Sequence, residues 1–507
     1  MSIIAWKTIN WTKVESRVRR YQNRIYKASR DNNSPKVRCL QKRLLRSLDA
    51  KMMAVRRVTT LNKGKRTPGI DKKIFVTDNQ KGKLVQKLKL DGKASPIRRV
   101  DLQKPEKKDK RPLGIPIIED RAKQALCLLA LEPEWEARFE PNSYGFRPER
   151  SCHDAIESIF LNLRNQSGEK DFHKYILYAD ISKCFDKIDH NYLITKLETI
   201  PEVENQVKAW LKADIFDEFQ ASKMDRLSKN IQGTPQGGII SPLLANIALH
   251  GMENHLKNWI CTKPSFGKTN KYSKDAKRKS LAIIRYADDF VVIHKEKSII
   301  QEAKEEVAKW LLDGPRLEIS EAKTSIVDSN EGFEFLGFSI ITITRGRPRV
   351  KIYPSRKSQA TLLFKVRNII QNNRSASTYN LILTLRPVII GWANYFKFSE
   401  CQKVFHKSTH LIHQKLRAWV FRRDTRNGRM NVKQRYFPSG KTYYYDGTQH
   451  QDNWVLTGKR IDKNGKMQEI WLPHIVWIKR KKWVKIKADK SPFDGDKLYW
   501  AERTKGN

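Results

Sequence analysis

Three short apolar runs in this chain each end in, or open from, a carboxylate. Tyr175 to Ala179 is closed by Asp180. Leu281 to Arg285 and Phe290 to Ile293 flank Tyr286-Ala287-Asp288-Asp289. Runs of this length, rich in β-branched residues and bounded by polar ones, predict strands; the closely spaced pair predicts a hairpin with Ala287-Asp288 near its turn. Apolar residues recur at helical spacing elsewhere. Residues 12 to 31 and 34 to 57 predict two helices, the second with Ser34 as N-cap and Pro35 at the first helical position, and carrying Val37, Leu40, Leu44, Leu48, Met52 and Val55 on one face. Residues 96 to 116 predict a strand, a basic turn and a second strand from Pro112, followed by a helix from Asp120 to about Phe139. The loop 141 to 156 leads into a further helix, and Ser241-Pro242 starts another with Leu243, Leu244, Ile247 and Ala248 as its stripe. Strands are expected within 316 to 344, with Lys323 between them and a turn at Gly346-Arg347-Pro348. Residues 355 to 423 turn helical again, and 431 to 507 alternate aromatic and basic positions as a small β-rich module would.

Composition narrows the partners. In 507 residues, 100 Lys and Arg stand against 54 Asp and Glu, a net charge of +46. That excess exceeds what solubility needs and points to a polyanion, most simply nucleic acid. With 13 Trp, 16 Tyr and 20 Phe the chain is a folded protein rather than a disordered basic arm. A membrane is the rival polyanion, but no apolar run approaches the roughly 18 residues needed to span one. The N-terminus, MSIIAWKTINW, lacks the apolar core of a secretory signal. Six scattered cysteines with no C-x-x-C pair argue for a reducing, intracellular setting and against a Cys-based zinc site. His406, His410 and His413 share a helical face; without a Cys or acidic partner nearby they fit packing or phosphate contact better than a metal.

An acidic hairpin turn is common in itself. A second strand ending in Asp180 changes its meaning. Carboxylates brought side by side repel and raise one another's pKa unless a cation lies between them. A few carboxylate oxygens suit Mg²⁺, which completes its shell with water and substrate phosphate, and a pair of such ions serves phosphoryl transfer. The basic hairpin offers Arg98, Lys104 and Arg111 as triphosphate ligands, although basic hairpins are often only surface. Gly-Thr-Pro-Gln-Gly-Gly at 233 to 238 is a backbone-permissive loop suited to close approach by a substrate. Residues 262 to 280 form a polar basic insertion. Residues 401 to 507 hold 25 Lys and Arg against 9 acidic residues; their aromatics serve either as core or as base-stacking platforms. The basic face of the helix at 34 to 57 is either solvated or in contact with RNA.

RPLGIP, SYGFRP, YADISKCFDKIDH, GTPQGGIISPLLANIAL, RYADDF and FLGF stand in this order between residues 111 and 338, within a likeness that covers nearly the whole chain. Together they resemble the polymerase blocks of group II intron-encoded reverse transcriptases and maturases of bacterial type. The resemblance implies an α+β multidomain protein with a right-hand polymerase. Its parts would be an N-terminal helical extension (1–60), fingers and palm built on antiparallel sheet (61–345), a helical thumb or domain X (346–430) and a small basic DNA-binding module (431–507). Carried over position by position, Asp180 and Asp288 would hold two Mg²⁺ ions, with Asp289 assisting and the Ile181 carbonyl as a further ligand. Arg98, Lys104 and Arg111 would contact the incoming dNTP, Phe185 would exclude a ribose 2′-OH, Gln236 would line the nucleotide pocket and Lys323 would approach the site. Many relatives continue into an H-N-H endonuclease with paired cysteines, whereas this chain stops at SPFDGDKLYWAERTKGN, so second-strand cleavage is not expected of it.

The function implied is RNA-directed DNA synthesis on two metals, combined with binding of intron RNA to assist splicing and target-primed copying into DNA during retrohoming, in the cytoplasm. Three alternatives stay open. One is a maturase that folds RNA without catalysis. Another is a reverse transcriptase recruited to a role such as defence. The third, an RNA-templated RNA polymerase, is disfavoured by the bulk of Phe185.

Overall fold

A computed structural model describes residues 6–103, 110–164, 173–217, 227–228, 232–235, 237–264, 273–344, 348–462, 464–488 and 490–506, with only the backbone of Gln103, Lys110, Arg111 and Leu227. Lys104, Gln236, Gly346, Arg347 and the middle of the 262 to 280 insertion lie outside the described residues. The chain forms two compact units. One holds residues 1–159, 175–326 and 486–503; the other holds 160–174, 327–485 and 504–507.

The first unit is built on the helix Ile118–Arg138, which is buried along most of its length. Helices Trp11–Arg30 and Ser34–Arg46 lay Val14, Val18, Ile25, Val37, Leu40 and Leu44 into the same core. The single helix expected over 34 to 57 is in fact two. Ser47 adopts an extended conformation (φ −63°, ψ 131°), and a second helix runs Leu48–Arg56 before a π-turn at Arg57–Leu61. The break lets Leu48 turn out to solvent, 53% exposed. The cap is Asn33, whose side chain accepts from the Lys36 amide, rather than Ser34; Asn and Ser cap equally well, so composition alone does not choose between them. The helix at Ser241–Leu249, by contrast, has no side-chain cap: the Ser241 hydroxyl donates to the Pro235 carbonyl and ties the glycine-rich loop to the helix.

Two sheets of this unit matter for function. In one, Ile97–Gln103 pairs antiparallel with Lys110–Ile115, as the basic hairpin requires, and its first residues run parallel to Ile215–Asp217. In the other, Ala282–Tyr286 and Asp289–His294 form the expected hairpin, and Tyr175–Asp180 lies antiparallel to the second of these strands. Residues 316 to 320 make no strand beyond a single bridge from Ile319 to Ile181; Lys323 sits in the short turn Glu321–Lys323, and the strands follow it. Ile486–Arg503 returns to this unit, so the stretch 431 to 507 is not one body. Arg503 forks both oxygens of buried Asp154 at 3.0 Å, and the Ile486 amide adds a bond of 2.8 Å to the same carboxylate.

The second unit gathers helices Arg356–Asn372, Thr378–Phe396 and Gln402–Arg423 around Leu362, Val366, Leu385, Phe405 and Val420. It also holds a three-stranded antiparallel sheet (Phe333–Phe335, Phe338–Ile343, Arg349–Pro354) and two hairpins between Thr442 and Trp471. The aromatic-rich segment holds both buried and exposed rings. Tyr443 and Trp477 are core, 2% and 8% exposed, whereas Tyr444 stands 71% exposed. His413 packs edge-on against Phe437 and Trp454, and burial lowers its pKa, as a packing role requires. No described helix is long and apolar enough to cross a membrane.

Candidate active site

The register of the central sheet sets Asp180 directly opposite Asp289, and Tyr286 opposite Asp289 on the other side. Asp288 occupies the turn with Ala287, whose φ of +59° is left-handed. Adjacent strand residues point to opposite faces, so a turn is what allows Asp288 and Asp289 to approach one locus. The Asp288 carbonyl accepts from the Ile181 amide at 3.2 Å, which fastens the turn to the end of the strand carrying Asp180. On the other side the Ser320 amide donates to the Asp180 carbonyl (2.8 Å) and the Ser182 amide to Glu318 (2.8 Å). Both acidic strand ends are thus fixed by backbone.

Electrostatics follow from this crowding. Burial, and then the charges of Asp288 and Asp180, push the Asp289 carboxyl up to about 7. The ammonium of Lys323 bonds to Asp180 Oδ2, and this bond raises the lysine in turn. The thiol of Cys184 lies close behind, pushed up to about 12 by burial and by Asp288. Three carboxylates drawn together with one ammonium on their edge form a locus that gains from added positive charge. Among the described residues no group of three or more His, Cys, Asp or Glu is spaced as a ready-made metal site. Two carboxylates beside backbone oxygens are a donor set that would suit a hard, water-retaining cation.

The turn is held by polar residues that periodicity does not reveal. Arg285, 3% exposed, donates to Asn246 Oδ1 (3.0 Å) and to the Ala287 carbonyl (3.2 Å). Asn246 donates in turn to the Gly145 carbonyl at 2.8 Å. The loop at 142 to 147 lies against the hairpin: the Tyr144 amide donates to the Arg285 carbonyl, and the Arg285 amide to that of Asn142, each at 2.9 Å. A Cβ on Gly145 would stand 2.3 Å from the Ala287 nitrogen, so only glycine permits this approach. Behind it, Arg147 forks Glu136 at 2.8 and 2.9 Å, both side chains 1% exposed, and donates to the carbonyls of Glu140 and Ser143. These are the residues that sequence reasoning missed. Their only signal was membership of SYGFRP, LLANIAL and RYADDF, in which periodicity marks the apolar positions and not these polar ones.

Phe185 follows Asp180 on the short helix Cys184–Lys187, and its carbonyl accepts from the Thr234 amide. Gly233 packs so close that a Cβ would meet the Phe185 oxygen at 2.6 Å. Phe146, 56% exposed and at φ +59°, sets its ring edge-on to Phe185 at 6.1 Å. Alongside lies a cavity of about 220 Å³ lined by Arg99, Gly114, Asp186 and the loop from Gln232 to Pro235. Arg98 stands on the basic hairpin with its Nε buried and without an acceptor, a donor turned from water with nothing to bind. The structure therefore brings Asp180, Asp288, Asp289 and Lys323 together, with Ile181 and Phe185 on the same chain segment as Asp180. Among the described residues no hydrogen bond or ion pair joins Arg98 to that group. Arg111 is described only as a strand residue opposite Leu102, and Lys104 and Gln236 lie outside the described residues.

Comparison with known proteins gives this arrangement a family. Residues 6–88 match the N-terminal domain of reverse transcriptase, 102–340 match reverse transcriptase (RNA-dependent DNA polymerase), and 360–437 match the group II intron maturase-specific domain. Protein YkfC of Escherichia coli is 33% identical over 350 residues, covering 61% of this chain and 88% of that protein. The group II intron-encoded protein LtrA of Lactococcus lactis is 32% identical over 372 residues, 62% of this chain and 59% of LtrA. Maturase-like protein 1 of Euglena gracilis is 25% identical over 401 residues, 78% of each chain. The chain belongs to the group II intron-encoded reverse transcriptases and maturases.

Proposed function

We propose that this protein copies RNA into DNA with a two-metal site at Asp180, Asp288 and Asp289, and that it binds group II intron RNA to assist splicing and retrohoming into target DNA. The observation that carries the reading is the register that sets Asp180 against Asp289 with Asp288 at the adjoining turn. Asp180, Asp288 and the Ile181 carbonyl would hold Mg²⁺, with Asp289 beside them. Bound there, it would activate the attacking oxygen and neutralise charge on the leaving one. The chain's own part is positioning: the backbone bonds of Ile181 and Ser320 fix the carboxylates, and Lys323 at their edge, with Arg98 assigned by resemblance, would bring cations toward the phosphates of a dNTP. Arg111, Lys104 and Gln236 are assigned to the same nucleotide by resemblance. In this reading 61–345 serves as fingers and palm, 346–430 as thumb, 1–60 as an N-terminal extension and 431–485 as a nucleic-acid-binding module. Primer extension on an RNA template with dNTPs and Mg²⁺ tests the reading; a wild-type protein that binds RNA but incorporates no nucleotide would leave a maturase without polymerase activity.

The cavity beside Phe185 yields a second expectation. Phe185→Ala should raise incorporation of rNTPs relative to dNTPs by roughly ten- to a hundredfold, as removing a steric wall does. Phe146→Ala should raise it by about three- to tenfold, because the edge-on ring that steadies Phe185 is lost. The measurement is kcat/KM for each nucleotide on one template. A Phe146→Ala enzyme that slows equally with both nucleotides would show that the contact is merely structural.

A further inference from the structure

The second unit contains a cavity of about 590 Å³ between helices Arg356–Asn372 and Gln402–Arg423. Five cations line it, Arg367, Arg374, Lys415, Arg422 and Arg423, and no carboxylate does. Among the described residues none of the five forms an ion pair. Arg423 is anchored, donating to the carbonyls of Arg374, Ser375 and Ala376 and lying over the Trp419 ring at 5.0 Å. Trp419 also lines the cavity, is 7% exposed, and its indole Nε1–H is buried with no acceptor. Gathered like charges and an unused buried donor both call for the same missing group, an anion rich in acceptor oxygens.

The spacing of the cations says more about that anion. Lys415 and Arg422 are seven residues apart on one helix and span about 10 Å along its axis, while Arg367 lies on the other helix and Arg374 in the turn beyond that helix's end at Asn372. A single phosphate cannot reach both ends. We propose that this cavity seats one nucleotide of an RNA strand, its flanking phosphates held by the cations toward its two ends and one phosphate oxygen accepting from Trp419 Nε1. The volume lies within the range of roughly 300–1,000 Å³ that encloses small ligands. Contacts of this kind grip backbone and carry no base sequence. The inference deepens the maturase half of the reading above and rests on it for the identity of the polyanion.

The test uses the full chain and a short fluorescein-labelled single-stranded RNA of mixed sequence, with affinity measured against salt. Arg374→Ser/Arg422→Ser should flatten the log–log slope by about 1.4, two phosphate contacts at about 0.7 each on a single strand. Lys297→Ser/Lys309→Ser removes the same charge from exposed positions of the first unit and should leave the slope unchanged. Trp419→Phe keeps the ring, deletes the donor and should weaken binding about fivefold. Photo-crosslinked RNA should be recovered on the peptide containing Trp419. A double variant that melts like wild type and keeps the wild-type slope overturns the proposal, as does a loss equal to that of the control pair. Inorganic phosphate bound at the cavity with RNA affinity unaltered in the double variant also overturns it, in favour of a free-anion site. Primer extension on the same preparations separates the two claims: slope loss with no extension by wild type removes the polymerase and keeps the cavity, and extension with an unchanged slope does the reverse.

Discussion

Asp288→Ala should lower dNTP incorporation by roughly a thousandfold or more while leaving RNA affinity and the melting temperature close to wild type. Losing a ligand to the charge-neutralising centre removes several kcal/mol of transition-state stabilisation, and each 1.4 kcal/mol is about tenfold in rate. Asp288 contributes its carbonyl to the Ile181 amide, a bond that any residue at the turn makes, and the left-handed residue is Ala287. Removing the side chain also relieves Asp289 of a neighbour that helps hold its carboxyl up to about 7. Single-turnover extension, filter binding and thermal melting on one preparation check all three parts. A variant that retains a tenth of the activity would place the reacting centre elsewhere.

The largest stability effect is expected at Arg147. Glu136 and Arg147 are both 1% exposed and fork each other deep behind the catalytic turn. Breaking a buried pair by removing one partner strands the other charge and costs about 3–5 kcal/mol. Arg147→Ala also frees the carbonyls of Glu140 and Ser143, so the loop that presses Gly145 on Ala287 loses its brace. Against a typical total of about 5–15 kcal/mol, the first unit should become marginal. Its urea midpoint should fall sharply, and polymerase activity should fall with it. Arg147→Met paired with Glu136→Leu should recover part of the stability, since apolar substitutes remove both charges at once, but not all of it, because the two carbonyls stay unmatched. An unchanged midpoint in Arg147→Ala would contradict the role given to the pair.

What could be read from the chain before folding follows the range of the interactions. The hairpin around Ala287-Asp288 and the strand ending at Asp180 were legible because β-branched runs write their own local structure. Their mutual register was not, because 109 positions separate Asp180 from Asp289 and only tertiary packing brings them together. The Ser47 break was hidden by an apolar stripe that continues across it. Arg285, Asn246 and Arg147 were invisible for a similar reason. A buried polar residue is defined by its partner, and these partners lie as far as 101 positions away. Resemblance located the blocks; geometry shows why SYGFRP contains a glycine and an arginine, the first to let the loop reach the turn and the second to hold it there. The basic cavity at Trp419 had no sequence signal beyond net charge, since its cations come from two separate helices and the turn after the first.

The most direct test of the central claim is primer extension by the wild-type protein on an RNA template as Mg²⁺ is titrated, with Asp180→Asn and Asp288→Asn run alongside. The account predicts saturable dependence on Mg²⁺, no incorporation in chelator, and loss of activity in both variants with RNA still bound. Incorporation that persists with divalent cations chelated, or near-wild-type rates from either asparagine variant, would contradict it.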